Sequence, residues 1–277
     1  MIIGIVGQGF VGSAIREGLS SFYPVMTYDI DSKKCSSTHS AVCKNADIIF
    51  VCLPTPMRKS GECDTRILEE SIKLTDEECK RLNRNPTIVI KSTVPPGTTE
   101  GIDNTVSLDV CFSPEFLTEA NSFDDFKNQT RIVVGGTGAK KVKQMFRKPF
   151  PNIPIVITKS QTAEMVKYFI NCFLSSKVIF ANQMYDICNA LDIDYDKVCE
   201  YAILDNRLGR SHFAVPGPDG DRGFGGHCFP KDLSALIYSA KAKDANTEFL
   251  DQVRDSNKRY RKNKDWLDMK GRAVSDD

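Results

Sequence analysis

Short, continuous apolar runs alternate with amphipathic stretches through the first half of the chain. The runs fall at 2–6, 25–29, 47–53, 87–91, 108–112, 131–135 and 154–157. Most lack the strict polar–apolar alternation of a half-exposed sheet, so they predict strands covered on both faces. Segments 11–20, 64–80 and 137–147 lie between them and have the amphipathic pattern of helices. Strands alternating with helices predict an α/β unit over 1–158, a Rossmann-like, doubly wound parallel sheet.

The pattern changes near residue 159. Residues 162–191 contain neither Pro nor Gly, and Val166, Phe169, Ile170, Phe173, Leu174 and Ile187 keep helical spacing. One long helix is therefore predicted there, with further helices at 194–205, 232–243 and 246–262 and a Gly/Pro-rich loop at 209–229. The expectation for 159–262 is an all-α central domain, followed by a charged tail at 263–277 that frays.

Composition narrows the function classes. The chain has 277 residues, long enough for one or two domains and a sizeable core. Its 37 basic and 36 acidic residues leave a net charge of +1, so no polyanionic partner such as nucleic acid is expected. The cluster Lys258, Arg259, Arg261, Lys262 and Lys264 is read as a solvated helix face. The lone Trp266 carries no signal by itself. The first residues lack the basic start of a secretory signal, and no run approaches the ~18 apolar residues of a membrane span. A cytoplasmic protein with no membrane partner is expected. Ten cysteines occur without a Cys-x-x-Cys pair, and Cys52, Cys111, Cys172 and Cys188 sit inside apolar runs, the pattern of reduced thiols. With only His39, His212 and His227 available, no metal site is expected.

Two stretches carry chemistry. Gly7-Gln8-Gly9-Phe10-Val11-Gly12 follows the first strand and opens a helix, the context a dinucleotide-binding turn requires. Its glycines allow a tight turn and close approach of a pyrophosphate, and the helix N-terminus favours that anion. Asp29 ends the second strand, where a carboxylate binds ribose hydroxyls and repels a 2′-phosphate, so NAD is expected over NADP. The second stretch runs Gly223-Phe224-Gly225-Gly226-His227-Cys228-Phe229-Pro230-Lys231-Asp232. A thiol on a flexible loop with a nearby cation is a candidate nucleophile, and an aspartate can position or deprotonate water. Lys167 and Asn171 share a helix face, where either could hold an oxyanion or a sugar hydroxyl; the same pair is common on solvated helices. Glu115 and Glu119 after Pro114 read, by themselves, as a helix start.

These segments together resemble the nucleotide-sugar 6-dehydrogenase family. The resemblance rests on the Gly7–Gly12 turn with Asp29, Leu53-Pro54-Thr55-Pro56 and Lys91-Ser92-Thr93-Val94-Pro95. It continues through Ser113-Pro114-Glu115-Phe116-Leu117-Thr118-Glu119, Ala163-Glu164 leading to Lys167 and Asn171, Asp205 with Arg207-Leu208-Gly209, and the Cys228 loop, in order across about 2–233. It implies oxidation of a sugar C6 alcohol to the carboxylate, most directly that of UDP-glucose, with two NAD reduced per turnover. Cys228 would form a thiohemiacetal and then a thioester, the usual division of a hard reaction by a nucleophile. Lys167 and Asn171 would stabilise the oxyanion, and Thr93, Glu115 and Asp232 would orient or deprotonate water. Besides the glycine turn (Gly7 to Gly12, with Gln8, Phe10 and Val11) and Asp29, the resemblance places Lys34, Thr55, Thr93, Glu119 and Lys231 at NAD. It places Glu115, Phe116, Leu117, Glu119, Lys167, Asn171, Arg207 and Gly225 at the sugar substrate. Arg207 would reach a neighbouring subunit's site, which implies a homodimer formed through 162–191.

The chain also departs from that pattern. The family carries a further C-terminal domain that binds the donor nucleotide, so a compact form without it is expected here. His227 replaces a small residue, loop 210–222 is longer than usual, and Gln183 stands where many members have Glu. A β-hydroxyacid dehydrogenase shares the two-part layout and a Lys/Asn pair but has no use for a nucleophilic cysteine. A non-catalytic NAD-binding subunit is the third reading, disfavoured by the presence together of Cys228, Lys167, Asn171, Glu115 and Asp232.

Overall fold

A computed structural model describes residues 1–276 and resolves them into two compact units. Asp277, at the end of the expected tail, lies outside the described residues. The first unit comprises Met1–Thr55 and Asp64–Lys167. It contains strands β1 (Ile3–Val6), β2 (Val25–Tyr28), β3 (Ile48–Val51), β4 (Thr87–Ile90), β5 (Val110–Phe112), β6 (Ile132–Gly136) and β7 (Ile155–Thr158). Helices α1 (Phe10–Ser20), α2 (His39–Asn45), α3 (Arg66–Arg81), α4 (Thr98–Asp103), α5 (Ser122–Lys127) and α6 (Ala139–Arg147) connect them, and α7 (Ser160–Ala190) begins in this unit. The strands form one sheet in the order β2-β1-β3-β4-β5-β6-β7.

The continuous apolar runs have a direct structural reason. Successive strand residues point to opposite faces. Ile5, Ile48, Phe50 and Val89 fill a core on one face, while Val6, Ile49, Val51, Ile88 and Ile90 fill a core on the other. Burying a side chain such as Phe50 contributes about 1.5–3 kcal/mol. Two features differ from the expectation of a uniformly parallel, doubly covered sheet. β5 and β6 pair antiparallel, Cys111 opposite Gly136, whereas every other pairing is parallel. The edge strand β7 leaves Val156 and Ile157 48% and 41% exposed.

The second unit comprises Pro56–Cys63 and the described residues from Tyr168 onward. The division thus falls inside α7, and a short loop from the first half of the chain belongs with the second half. After α7 come α8 (Tyr195–Ala202), α9 (Phe229–Lys241) and α10 (Glu248–Tyr260). Cys172, Ile179, Phe224, Leu233, Ile237 and Val253 form its main core. Pro230 lies in the first turn of α9, where a missing N–H costs nothing.

The expected frayed tail is corrected by the structure. Asp265–Asp268 form a 3₁₀ turn in which Trp266 is buried. Met57 N–H donates to Ala273 O at 2.8 Å, and Ser275 N–H donates to Met57 O at 2.9 Å. The segment is charged, but one tryptophan and a short backbone pairing with a distant loop are enough to hold it. The reading of the basic cluster is corrected at one position: Arg261 is buried, with its guanidinium among Asp219, Asp221 and Asp265. No helix among the described residues is long and apolar enough to cross a membrane.

Candidate active site

The glycine turn occupies the junction of β1 and α1, beside the point where the strand order reverses between β1 and β3. Open α/β sheets bind ligands at such switch points. Gly7 has φ +92°, and a Cβ there would lie 2.3 Å from Cys52 O, so only glycine fits. A Cβ on Gly12 would come within 2.0 Å of Gly7 O, which explains the close packing of α1 on the turn. Gly9 differs: it is exposed, caps α1, and would meet nothing within 4 Å. That open cradle at a helix N-terminus suits a pyrophosphate. Gln8 is buried in the turn, whereas Phe10 and Val11 are half-buried at the start of α1. Asp29 directly follows β2; its Oδ2 accepts from Gln8 N–H at 2.6 Å and its Oδ1 from Asp31 N–H at 2.9 Å. The carboxylate is therefore fixed beside the glycine turn. These residues fit NAD.

A second group of candidate residues in the first unit centres on the pairing of Glu115 with Lys167. Residues 113–118 are not helical, so the reading of Glu115 and Glu119 as a helix start is corrected; the following helix begins only at Ser122. The Glu115 side chain folds back to accept from Leu117 N–H at 2.6 Å through Oε2, while Oε1 lies 2.8 Å from Lys167 Nζ. Both partners of this ion pair are buried. Lys167 Nζ also stands 5.7 Å from the centre of the Phe116 ring, which Arg131 covers at 4.3 Å.

Lys91 and Glu164, which the sequence reading quoted without a role, support this group. Lys91 Nζ donates to Pro114 O at 3.0 Å, and burial pushes its ammonium down to about 8 against the opposing pull of Cys52 and Glu115. The neighbouring Lys167 also disfavours its charge. Glu164, near the start of α7, accepts from Gly97 N–H at 2.6 Å and from Thr99 N–H at 2.8 Å. Burial raises its carboxyl above the usual range, although hydrogen bonds from Thr99 and Gly97 oppose this. Through these bonds Glu164 anchors the loop that carries Thr93. Thr93 O in turn accepts from Thr55 Oγ1 at 2.7 Å, and Ser92 bridges Leu53 N–H and O at 2.9 and 2.6 Å. The Leu53–Thr55 and Lys91–Thr93 segments are thus held as one assembly.

In the second unit Cys228 is the N-cap of α9, where the helix dipole favours negative charge. Its carbonyl accepts from Asp232 N–H at 2.8 Å. Asp232 is buried and holds two partners: Asn171 Nδ2 donates to Oδ2 at 2.6 Å, and Lys231 Nζ donates to Oδ1 at 2.6 Å. Burial by itself would lower Lys231, yet Asp232, with contributions from Cys63 and Cys228, holds it above its ordinary value. Lys231 is therefore a firmly charged lysine. Cys172 behaves differently, since burial and Asp232 push its thiol up to about 12, the signature of an inert core cysteine.

Lys167 and Asn171, residue types common on solvated surfaces, are both buried one helical turn apart on α7. Each is matched to a carboxylate, Glu115 for the lysine and Asp232 for the asparagine. Oriented donors of this kind can stabilise an oxyanion, and a carboxylate held beside them can orient water. Gly225 is half-buried in the loop before Cys228. Three expected residues are exposed where the others, Gly9 aside, are buried or half-buried. Glu119 and Lys34 are exposed; Lys34 lines, with Arg16 and Lys33, a cavity of about 360 Å³ beside the edge strand β2. Arg207 is exposed and forks onto Asp205, its Nε at 3.0 Å from both carboxylate oxygens.

Comparison with known proteins follows the same division. Residues 34–150 match the NAD binding domain of the UDP-glucose/GDP-mannose dehydrogenase family, and residues 161–259 match its central domain. The chain is 36% identical over 226 residues to UDP-glucose 6-dehydrogenase TuaD of Bacillus subtilis, covering 78% of this chain and 47% of that one. It is 36% identical over 235 residues to UDP-glucose 6-dehydrogenase of Rickettsia bellii, covering 81% and 52%. The chain thus spans about half the length of these curated relatives. A UDP-glucose dehydrogenase structure from the archaeon Pyrobaculum islandicum superposes with a TM-score of 0.84 at 27% identity, covering 93% of this chain and 68% of that one. With its two halves matching the family's NAD-binding and central domains in order, the chain belongs to the UDP-glucose/GDP-mannose dehydrogenase family.

Proposed function

We propose that this chain oxidises the C6 alcohol of a nucleotide sugar, UDP-glucose first among them, to the uronic acid through a covalent intermediate on Cys228. The observation that carries the reading is Cys228 at the head of α9, one turn from an Asp232 that is buried between Asn171 and Lys231. A β-hydroxyacid dehydrogenase would have no use for that thiol.

NAD bound at Gly7–Gly12 and Asp29, with Thr55, Thr93, Lys34, Glu119 and Lys231 contributing, supplies the hydride acceptor for each of the two oxidations. Lys167 and Asn171 hold the C6 oxygen as it gains negative charge. Once the alcohol has become an aldehyde, the Cys228 thiolate adds to C6 and the oxygen takes a proton, giving a thiohemiacetal. Loss of the second hydride and that proton leaves a thioester. Water activated by Asp232, with Glu115 and Thr93 orienting it, attacks the thioester carbon; the C–S bond breaks and Cys228 regains its proton. Phe116, Leu117 and Gly225 line the sugar. The reading includes a homodimer in which Arg207 serves the partner's substrate.

The test is NADH formation with a panel of UDP- and GDP-sugars, expected at two NADH per sugar for the preferred donor. Cys228→Ser should abolish uronic acid formation and leave NAD affinity nearly unchanged, because the Gly7 turn is untouched. Undiminished turnover by that variant would remove the thioester mechanism.

A further inference from the structure

Between Gly223 and Gly226, the backbone leading to Cys228 is held by side chains from distant segments. Asn182 Oδ1, on α7, accepts from Gly223 N–H at 3.2 Å. Asn257, buried on α10, takes Phe224 from both sides: its Oδ1 accepts the N–H at 2.8 Å and its Nδ2 donates to the carbonyl at 2.9 Å. Asp265 Oδ2, in the 3₁₀ turn beyond α10, accepts from Gly226 N–H at 3.0 Å.

Asp265 is itself held. Its Oδ1 lies 3.2 Å from Arg261 Nη2, and the same guanidinium reaches Asp219 at 2.6 Å and donates to Asn263 O at 2.7 Å. Trp266, buried beside Asp265, and the pairing of Met57 with Ala273 and Ser275 fix the segment from which Asp265 projects.

The glycines of the loop record these contacts. A Cβ on Gly225 would lie 2.3 Å from both Arg261 Nη2 and Asp265 Oδ1, and one on Gly223 would lie 2.3 Å from Asn257 Oδ1. Gly223 and Gly225 therefore leave no room for a side chain, because this clamp presses against them.

We propose that Asp265 and Arg261 are positioning residues for the Cys228 nucleophile. Asp265 fixes the Gly226 N–H two residues before the thiol, and Arg261 holds Asp265 in that orientation. Neither touches the reacting atoms; they act by limiting where the Cys228 backbone can sit. The proposal rests on the reading of Cys228 as the nucleophile.

The experiment uses the full chain with Asp265→Ala, Asp265→Asn, Arg261→Met and Arg261→Lys. Two readouts are followed: the pH profile of iodoacetamide alkylation at Cys228, by peptide mass spectrometry, and kcat and KM with UDP-glucose and NAD. Asp265→Ala and Arg261→Met should displace the alkylation profile and lower kcat about 10- to 100-fold, as misplacement of a reacting group does. The KM for NAD should stay within about twofold. Asp265→Asn, which keeps an oxygen for Gly226, and Arg261→Lys should recover part of the loss. Folded variants with unchanged profile and kcat would overturn the proposal, and so would an equal loss in NAD binding. If Asp265→Ala or Arg261→Met does not fold, Asp265→Asn and Arg261→Lys carry the decision through the same profile, and an unchanged profile overturns it. A wild type that does not oxidise UDP-glucose would count against the proposed activity, while the alkylation profile would still decide the clamp.

Discussion

Lys167 and Glu115 form a 2.8 Å ion pair that is almost wholly removed from water, although 52 residues separate them in sequence. Removing one charge of a buried pair costs far more than removing both, because the remaining ion stays desolvated. Glu115→Gln should therefore destabilise the protein by about 3 kcal/mol or more. Adding Lys167→Met to it should recover much of the loss. Urea unfolding of the three variants measures this; an unchanged midpoint for Glu115→Gln would show that the pair does not hold the site.

That pair also shows where the sequence stops being readable. Strands β1 to β6 are legible because each runs through two cores, so that Phe50 and Val51 are both apolar while facing opposite ways. The edge strand β7 is legible from its unbroken β-branched run, which begins at the buried Ile155. The direction of β6 against β5 is not, since apolar patterning is the same for either orientation. Helices α4 and α5 are only six residues long, too short to build a periodic signal. Lys167, Asn171 and Arg261 are residue types usually solvated; their burial is set by Glu115, Asp232 and Asp219, partners the local sequence cannot announce. The nucleotide turn was readable because its glycine spacing answers a purely local requirement of backbone and space.

Lys91 makes stability depend on pH in a definite direction. Its ordinary value is 10.5, and burial lowers it to about 8 in the folded chain. Between these values the unfolded chain binds more protons than the folded one, so stability rises with pH across that window. Below about 8 the buried charge is a full cost, on the order of 3 kcal/mol. Lys91→Met should flatten this part of the curve, even though it gives up the bond to Pro114 O. Denaturant unfolding at pH 7.5 and pH 10 compares the two proteins; parallel curves would contradict the assignment.

Gly9 and Gly12 should separate cofactor binding from folding. A methyl on Gly9 meets no protein atom, and its φ of −72° suits any residue. Gly9→Ala should therefore melt like the wild type while weakening NAD by about tenfold, ~1.4 kcal/mol, because the methyl enters the pyrophosphate cradle. Gly12→Ala forces an overlap with Gly7 O and should lose about 1–3 kcal/mol of stability. Calorimetry for NAD and thermal melts for stability check both. Equal NAD affinity in Gly9→Ala would remove the cradle from the binding site.

Asn171 should matter to rate more than to binding. Its amide is held by Asp232 at 2.6 Å, so its orientation is set before substrate arrives. Loss of one oriented oxyanion donor lowers kcat about 100- to 1,000-fold. Asn171→Ala should show that fall with little change in the KM for NAD. A variant whose KM rises while kcat holds would make Asn171 a binding residue instead.

The exposed apolar stripe of α7 leads to the last expectation. Met165, Phe169, Phe173, Phe180 and Ile187 are 40%, 67%, 57%, 57% and 42% exposed, at spacings of four or seven residues. Such spacing places them along one helix face, and a contiguous patch of this kind marks an interface. The occupant we expect is the same stripe of a second copy, since an interface between identical chains is self-complementary about a two-fold axis. Sedimentation should then give twice the 30.9 kDa chain mass. Phe169→Glu combined with Phe173→Glu should yield monomers, because buried aromatic anchors carry about 2 kcal/mol or more each at such interfaces. The dimer also bears on catalysis if Arg207 completes the partner's site. Arg207→Ala and Cys228→Ser proteins, each impaired alone, should recover part of the activity when mixed, through heterodimers with one intact site. A fully active, monodisperse wild-type monomer would refute both the interface and the shared site.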